Sequence, residues 1–351
     1  MSCQKCSVLP QVEDKSGNLL VSCGVSELAD KMVEYLEKKN FSYEREDSQT
    51  LWVSVDSFLT TLEDMFASNL MSKMEREAIN LLFLDISETF TPSKLTRIKT
   101  LQQYKDLMGA KKLTSIIDNG ALTTHFQPIV DIKSNAIYGY ESLARGVDED
   151  GSLISPDKLF NWAREGDMLF YLDRACRETS LKTAAVKNIH SKVFINFIPT
   201  AIYDPIHCLK STVKWAQQLN FDPKNIIFEV IESDYVEDLD HLSGILDYYK
   251  SQGFMVALDD VGSGYSSLNM IAKLLPNVVK IDRAIIDGID TNAVNQSIFR
   301  AITQIAKENG IIVLAEGIER VEELAFCAKE GADLAQGYYF GKPSAEPIRK
   351  L

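Results

Sequence analysis

Between residues 120 and 340, short runs rich in β-branched and aromatic residues alternate with amphipathic stretches of helical length, and that alternation admits few architectures. Strand candidates fall near residues 123–130, 136–145, 193–198, 226–231, 254–260, 277–282, 311–316 and 334–339. Helical stretches such as Pro156–Glu165, Ala175–Asn188, Leu239–Ser251, Ala293–Asn309 and Val321–Glu330 lie between them. Strand, crossover helix and next strand is the unit that builds a parallel sheet. Eight such units predict an α/β fold, a (β/α)8 TIM-like barrel, whose reactive side chains gather at the carboxyl ends of the strands.

Those ends are polar. Asn196 follows Val193–Ile195, Glu229 follows Ile226–Phe228, Lys280 follows Val278 and Val279, and Glu316 follows Ile311–Ala315. Asp259 and Asp260 end the run Phe254–Leu258 and precede the turn Gly262-Ser-Gly264. Adjacent carboxylates repel unless a cation sits between them, and an ionisable group near a barrel core needs a partner to offset its desolvation.

The first 110 residues predict a small α+β domain of regulatory or sensory kind. A strand at Gly17–Ser22, a helix at Ser26–Lys39, a hairpin of Phe41–Glu46 with Gln49–Val55, and helices at Ser57–Phe66, Ser72–Leu82 and Thr91–Met108 are expected. Residues 111–120 are expected to link it to a barrel over residues 121–351. No apolar run approaches the about eighteen residues a spanning helix needs, so no membrane insertion is expected. The first residues lack the apolar core of a secretory signal, which points to the reducing cytoplasm. With 37 Lys and Arg against 50 Asp and Glu, the net charge of −13 argues against nucleic acid polymers as partners. Small anions remain admissible if metals or local cations receive them.

Taken in order, Phe126-Gln127-Pro128-Ile-Val130, Glu141-Ser-Leu-Ala-Arg145, Asn196, Glu229-Val-Ile-Glu232, Leu258 to Leu268, Lys280-Ile-Asp282, Ala315-Glu-Gly-Ile-Glu319 and Gln336-Gly337 form an ordered set. The set resembles the motifs of the EAL-type cyclic-di-GMP phosphodiesterases across residues 120–345. The resemblance implies hydrolysis of cyclic di-GMP, a bacterial second messenger, to linear pGpG, on a barrel whose first strand runs antiparallel to the others. It also implies a homodimer formed through the barrels. The name motif stands here as Glu141-Ser142-Leu143, with Ser for the usual Ala. Val261 replaces a usual Phe, Ser263 a usual Thr, and Phe197-Ile198-Pro199 a usual Leu-Ser-Pro. None of these changes removes a metal-capable atom, so they bear on regulation more than on chemistry.

Glu141, Asn196, Glu229, Asp259, Asp260 and Glu316 offer five carboxylates and one amide oxygen, with no His or Cys. An all-oxygen set selects hard divalent ions, Mg²⁺ or Mn²⁺. Two such ions would leave the site near neutral toward an anionic phosphodiester, whereas one would leave it repelling. One metal is therefore assigned to Glu141, Asn196, Glu229 and Asp259, and the second to Asp259, Asp260 and Glu316. Lys280 is expected to orient the attacking water and offset developing charge rather than act as a base. Arg145 suits a bidentate grip on phosphate or a guanine edge, and Gln127 can read the substrate with donor and acceptor. By the resemblance, Glu319 and Gln336 lie near the lysine and the water, and Glu232 tethers the loop after Asp260. Lys280, Glu319 and Glu232 are thus counted as catalytic, and Gln127, Arg145 and Gln336 as substrate-binding.

The histidines share no spacing, and Cys176, Cys208 and Cys327 read as apolar fillers. Cys3, Cys6 and Cys23 admit a zinc ion or a redox switch, although zinc sites ordinarily present four ligands. The alternative function is a receptor that binds cyclic di-GMP, or a protein partner, without turning anything over.

Overall fold

The structure, a computed structural model, describes residues 14–68, 70–166, 168–202, 204–231, 239–262 and 267–351. Cys3, Cys6 and Glu232 lie outside these residues. The chain forms two compact units, one of residues 1–115 with 161–168, the other of residues 116–160 with 169–351.

The first unit holds a five-stranded sheet of β1 (Gly17–Cys23), β2 (Tyr43–Arg45), β3 (Thr50–Val55), β4 (Ile79–Asp85) and β5 (Lys99–Thr100), in the order β2-β3-β1-β4-β5. Every ladder is antiparallel. Leu19 and Val21 of β1, Leu51 and Val53 of β3, and Ile79 and Leu81 of β4 form one core with Met32 and Leu36 of the helix Ser26–Lys38 and Leu62 of the helix Phe58–Ala67. Ser57 caps the latter helix by accepting from Thr60 N–H.

Two predicted helices resolve differently. Ser72 starts a helix with a Glu75 capping box, but that helix spans only Lys73–Glu77, and Ile79–Asp85 becomes β4. The run Ile79-Asn-Leu-Leu-Phe-Leu84 is nearly continuous in apolar residues, and β1 pairs with β4 along its whole length, so the ladder outweighs helix propensity. In Thr91–Met108, a 3₁₀ turn at Pro92–Arg97 leads into β5, and a helix then runs Leu101–Asp118 through the segment expected to be a linker.

The second unit is a closed barrel. Its strands are β6 (Leu122–Asp131), β7 (Ala136–Val147), β9 (Lys192–Phe197), β10 (Ile226–Ile231), β11 (Met255–Val261), β12 (Val278–Ile281), β13 (Ile312–Ala315) and β14 (Leu334–Gln336), and the short β8 (Leu153–Ile154) extends β7 as a hairpin. β6 is antiparallel to both its neighbours, β7 and β14, while the ladders from β7 through β9 to β14 are parallel. Ile129, Phe194, Ile227, Ala257, Val278, Leu314 and Leu334 form one buried cluster, each barrel strand but β7 giving one residue. The outer faces pack against helices that include Leu169–Val186, Leu239–Ser251 and Ala293–Glu308. Among the described residues no helix is long and apolar enough to cross a membrane.

Candidate metal centre

Strand register sets the site. β7 pairs with β9 only as far as Ser142, so Glu141 sits at the end of the barrel ladder although β7 itself continues. Glu229 pairs with Asn196 across β10 and β9, and Glu141 with Gln127 across β7 and β6. Lys280 is the third residue of β12, and Glu316 follows the last residue of β13.

Asp259 and Asp260 need a further device, because successive residues of a strand point to opposite faces. The β11–β12 register shifts between Leu258 and Val261, and Asp260 adopts a left-handed backbone with φ 54°. Asp is among the few residues that tolerate that region, and a bulge of this kind re-aims a side chain. Asp260 N–H donates to Asp259 Oδ1 at 3.0 Å, which supports the bend. One oxygen each from Asp259, Asp260 and Glu316 lie within 4.8 Å of one another, as do one each from Glu141, Glu229 and Asp259. The two groups share Asp259.

Lys280 stands among them with 1% of its side chain exposed. Its Nζ lies 2.8 Å from Glu229 Oε1, 2.8 Å from Asp259 Oδ1 and 2.8 Å from Glu316 Oε1. Burial works against its charge, but Asp259, Glu141, Glu229 and Glu316 hold its pKa well above that of a free lysine. It is an ammonium. Glu229 is raised well above the ordinary carboxyl range by burial, Lys280 only partly offsetting this while Glu141 and Asp259 add to it. Glu316 is raised by burial and by Asp259. Burial, then Asp259 and Asp282, push Asp260 up to about 6.

Five carboxylates thus face one ammonium, and several oxygens are left unsatisfied. Neither oxygen of Glu229 has a partner in hydrogen-bonding geometry, even though Oε1 is within ion-pair distance of Lys280, and Asn196 Oδ1 and Gln336 Oε1 also have none. Buried polar atoms are ordinarily paired, so unsatisfied oxygens beside the two carboxylate groups make this a place that could hold a cation. The donor set is oxygen throughout and fits hard divalent ions. The amide hydrogens are already spent on holding Glu141: Asn196 Nδ2 donates to its Oε1 at 3.1 Å and Gln336 Nε2 to its Oε2 at 2.6 Å.

The other residues singled out in the sequence are placed as follows. Gln127 is buried and its Nε2 donates to Gly341 O at 3.2 Å. Arg145 is half-buried and donates from one terminal nitrogen to Ala144 O at 2.7 Å. Glu319 is exposed and pairs with Arg283 at 2.9 Å, so it is not among the three carboxylates around Lys280. Gly337 lets the chain pass tightly behind Gln336, since a Cβ there would lie 2.0 Å from Ile318 O. Cys23 is buried in the first unit, where burial raises its thiol to about 11.

A family model described as EAL domain matches residues 110–343. The chain belongs to the EAL domain family. Among relatives, Cyclic di-GMP phosphodiesterase PdeR of Escherichia coli K12 is 29% identical over 259 residues, covering 72% of this chain and 38% of its own length. Cyclic di-GMP phosphodiesterase NbdA of Pseudomonas aeruginosa PAO1 is 27% identical over 249 residues, covering 68% of this chain and 31% of its own length. The chain therefore spans well under half the length of these relatives. Among solved structures, the cyclic-di-GMP-bound form of a standalone EAL protein of Vibrio cholerae O395 is 38% identical with a TM-score of 0.59, covering 65% of this chain and 94% of that one. Klebsiella pneumoniae BlrP1, at 19% identity and a TM-score of 0.60, covers 96% of this chain and 98% of that one, a likeness of fold.

Three features of this EAL domain were not read from the sequence. Ser142, where the family motif has Ala, is buried and donates to Phe194 O at 2.8 Å, so the hydroxyl joins the Glu141 strand to the strand bearing Asn196. Asp173 and Arg177 form a buried ion pair at 2.9 Å on the helix Leu169–Val186, and Asp173 Oδ1 also accepts from Ile198 N–H at 2.9 Å, just beyond Asn196. Their signal was an Asp and an Arg four apart on the apolar stripe Leu172, Cys176 and Leu181. Buried Glu323 accepts from the N–H groups of Gly288, Glu319 and Arg320, which fixes the segment that follows Glu316.

Proposed function

We propose that this chain hydrolyses cyclic di-GMP to linear 5'-pGpG at the mouth of its barrel, using two divalent cations, Mg²⁺ or Mn²⁺. Glu141, Asn196, Glu229 and Asp259 would hold one, and Asp259, Asp260 and Glu316 the other. The observation that carries this reading is the pair of oxygen groups sharing Asp259, with unsatisfied oxygens on Glu229 and Asn196. Family membership and the names of the relatives supply the substrate.

When bound, cations at such a site supply charge neutralisation and an activated water for in-line attack at phosphorus. The chain's own groups do the rest. Lys280 keeps Glu229, Asp259 and Glu316 together and would offset charge as the phosphorus centre gains negative charge. Gln336 and Asn196 orient Glu141. Arg145 makes no second hydrogen bond among the described residues, which leaves its remaining N–H groups to grip a phosphate or a guanine edge, and Gln127 and Gln336 would also read the substrate. Glu319 holds Arg283 near this end of the barrel, and Glu232 would tether the loop after Asp260. Residues 1–110 would regulate the barrel, the active form would be a homodimer through the barrels, and the work would be done in the cytoplasm.

The test is conversion of cyclic di-GMP to pGpG with Mg²⁺ and with Mn²⁺, compared between the full chain and residues 115–351. Turnover that stops with a chelator supports the proposal. Tight binding without turnover under both ions would make the chain a receptor instead.

A further inference from the structure

The first unit contains a cavity of about 630 Å³ lined by residues of β4, β5 and the segments around them, and nothing in the barrel chemistry uses it. That size falls within the roughly 300–1,000 Å³ typical of small-molecule sites. Part of its wall is aromatic. Phe83 stacks on Phe58 with centroids 4.5 Å apart and planes 11° from parallel, and Tyr104 meets Phe58 edge-on at 5.1 Å. Phe58 is buried in the core, whereas Phe83 is only half-buried and lines the cavity with ring surface left over.

The remainder of the lining is charged, and its two signs are not equivalent. Glu88 is taken up by Arg97 at 3.0 Å and Lys94 at 3.3 Å. Asp85 accepts from Ser87 N–H and Oγ–H, which hold its carboxyl below the ordinary range. Lys99, by contrast, lines the cavity half-buried, and its ammonium has no partner among the described residues. Tyr104 is 8% exposed, and its hydroxyl makes no hydrogen bond among the described residues. With Lys15, Arg97 and Lys99 against Asp85 and Glu88, the lining carries one more positive group than negative, on a chain whose net charge is −13. Neither the Tyr104 hydroxyl nor the Lys99 ammonium is sealed from solvent, so each keeps hydrogen-bonding capacity that a ligand in the cavity can take up.

We infer that this cavity is a binding site for a small anion carrying a flat ring, its ring laid against Phe83 and its acidic group held by Lys99 and the Tyr104 hydroxyl. Mononucleotides and aromatic carboxylates share that chemistry. The inference is independent of what the barrel does.

The probe is anilinonaphthalene sulfonate, titrated by fluorescence into the full chain, with N-phenyl-1-naphthylamine as its uncharged counterpart. Saturable binding at one probe per chain is expected, weaker for the uncharged compound. Lys99→Ala should weaken it about tenfold or more, as loss of a charge-assisted hydrogen bond does, Lys99→Arg should retain it, and Tyr104→Phe should weaken it. Lys280→Met should leave it unchanged, so failure of the phosphodiesterase reading and failure of this one are distinguishable. Urea unfolding of Lys99→Ala at the wild-type midpoint shows that any loss comes from the cavity. Displacement by GMP or by salicylate would identify which anion the site prefers. Binding that does not saturate, is indifferent to Lys99→Ala, equals that of the uncharged compound, or is displaced by neither competitor would overturn the inference.

Discussion

Removing Asp173 tests how the barrel fixes the strand end that carries Asn196. Arg177 is fully buried, its guanidinium 2.9 Å from Asp173, and none of its three nitrogens has a hydrogen-bond partner among the described residues. Asp173→Ala would leave a buried cation without its counter-charge, a change that costs about 3–5 kcal/mol. It would also take the acceptor from Ile198 N–H, worth about 1–3 kcal/mol for a buried donor. The two losses share one side chain and do not add, so a total of about 4 kcal/mol is expected from urea unfolding. The double variant Asp173→Leu, Arg177→Met removes the stranded charge but not the stranded N–H. It should recover at least half of that loss while Mn²⁺-supported turnover stays reduced, because Ile198 and hence Asn196 remain untethered. A cost below about 1 kcal/mol for Asp173→Ala, or a double variant no more stable than the single one, would refute the reasoning.

Glu141→Ala and Asp259→Ala should each lower cyclic di-GMP turnover by at least about a hundredfold, since even groups that only support metal ligands are worth 10–100-fold, whereas Cys176→Ala should leave it largely intact; product chromatography reads both. Ser142→Ala should cost about 1 kcal/mol in urea unfolding and retain turnover, because the lost hydroxyl partners a backbone carbonyl and no metal-capable atom. Cys23 has its thiol pushed up to about 11 by burial, opposed by Arg45, so at pH 8 only about one thiol in a thousand is ionised. Native protein should therefore modify Cys23 with a thiol reagent on the order of a hundredfold more slowly than unfolded protein, with the rate rising as pH rises toward 11, as followed by peptide mass spectrometry.

The barrel was legible because its strands and helices differ in period, and because five of its strands carry at their tips polar residues that a core would not otherwise tolerate. Glu229, Asp259, Lys280 and Glu316 could be selected that way one by one. Their mutual distances could not, since these depend on register, and sequence alone gives no sign that a bulge and a left-handed Asp260 bring two consecutive aspartates to one group. The first unit was less legible. Ile79–Asp85 has no strict alternation, because Leu81 and Leu82 are buried on opposite faces of the sheet, so its apolar density reads equally well as the face of a helix. Lys280 shows the same limit at a single residue: after Val278 and Val279 it could be a surface lysine, and only the three carboxylates from β10, β11 and the end of β13 explain its burial.

The most direct test of the central claim is anomalous diffraction at the manganese edge from crystals soaked in Mn²⁺. Two peaks are predicted, one touching Glu141, Asn196, Glu229 and Asp259, the other Asp259, Asp260 and Glu316. A barrel mouth without manganese, or a single peak that leaves Asp260 and Glu316 turned away, would contradict it.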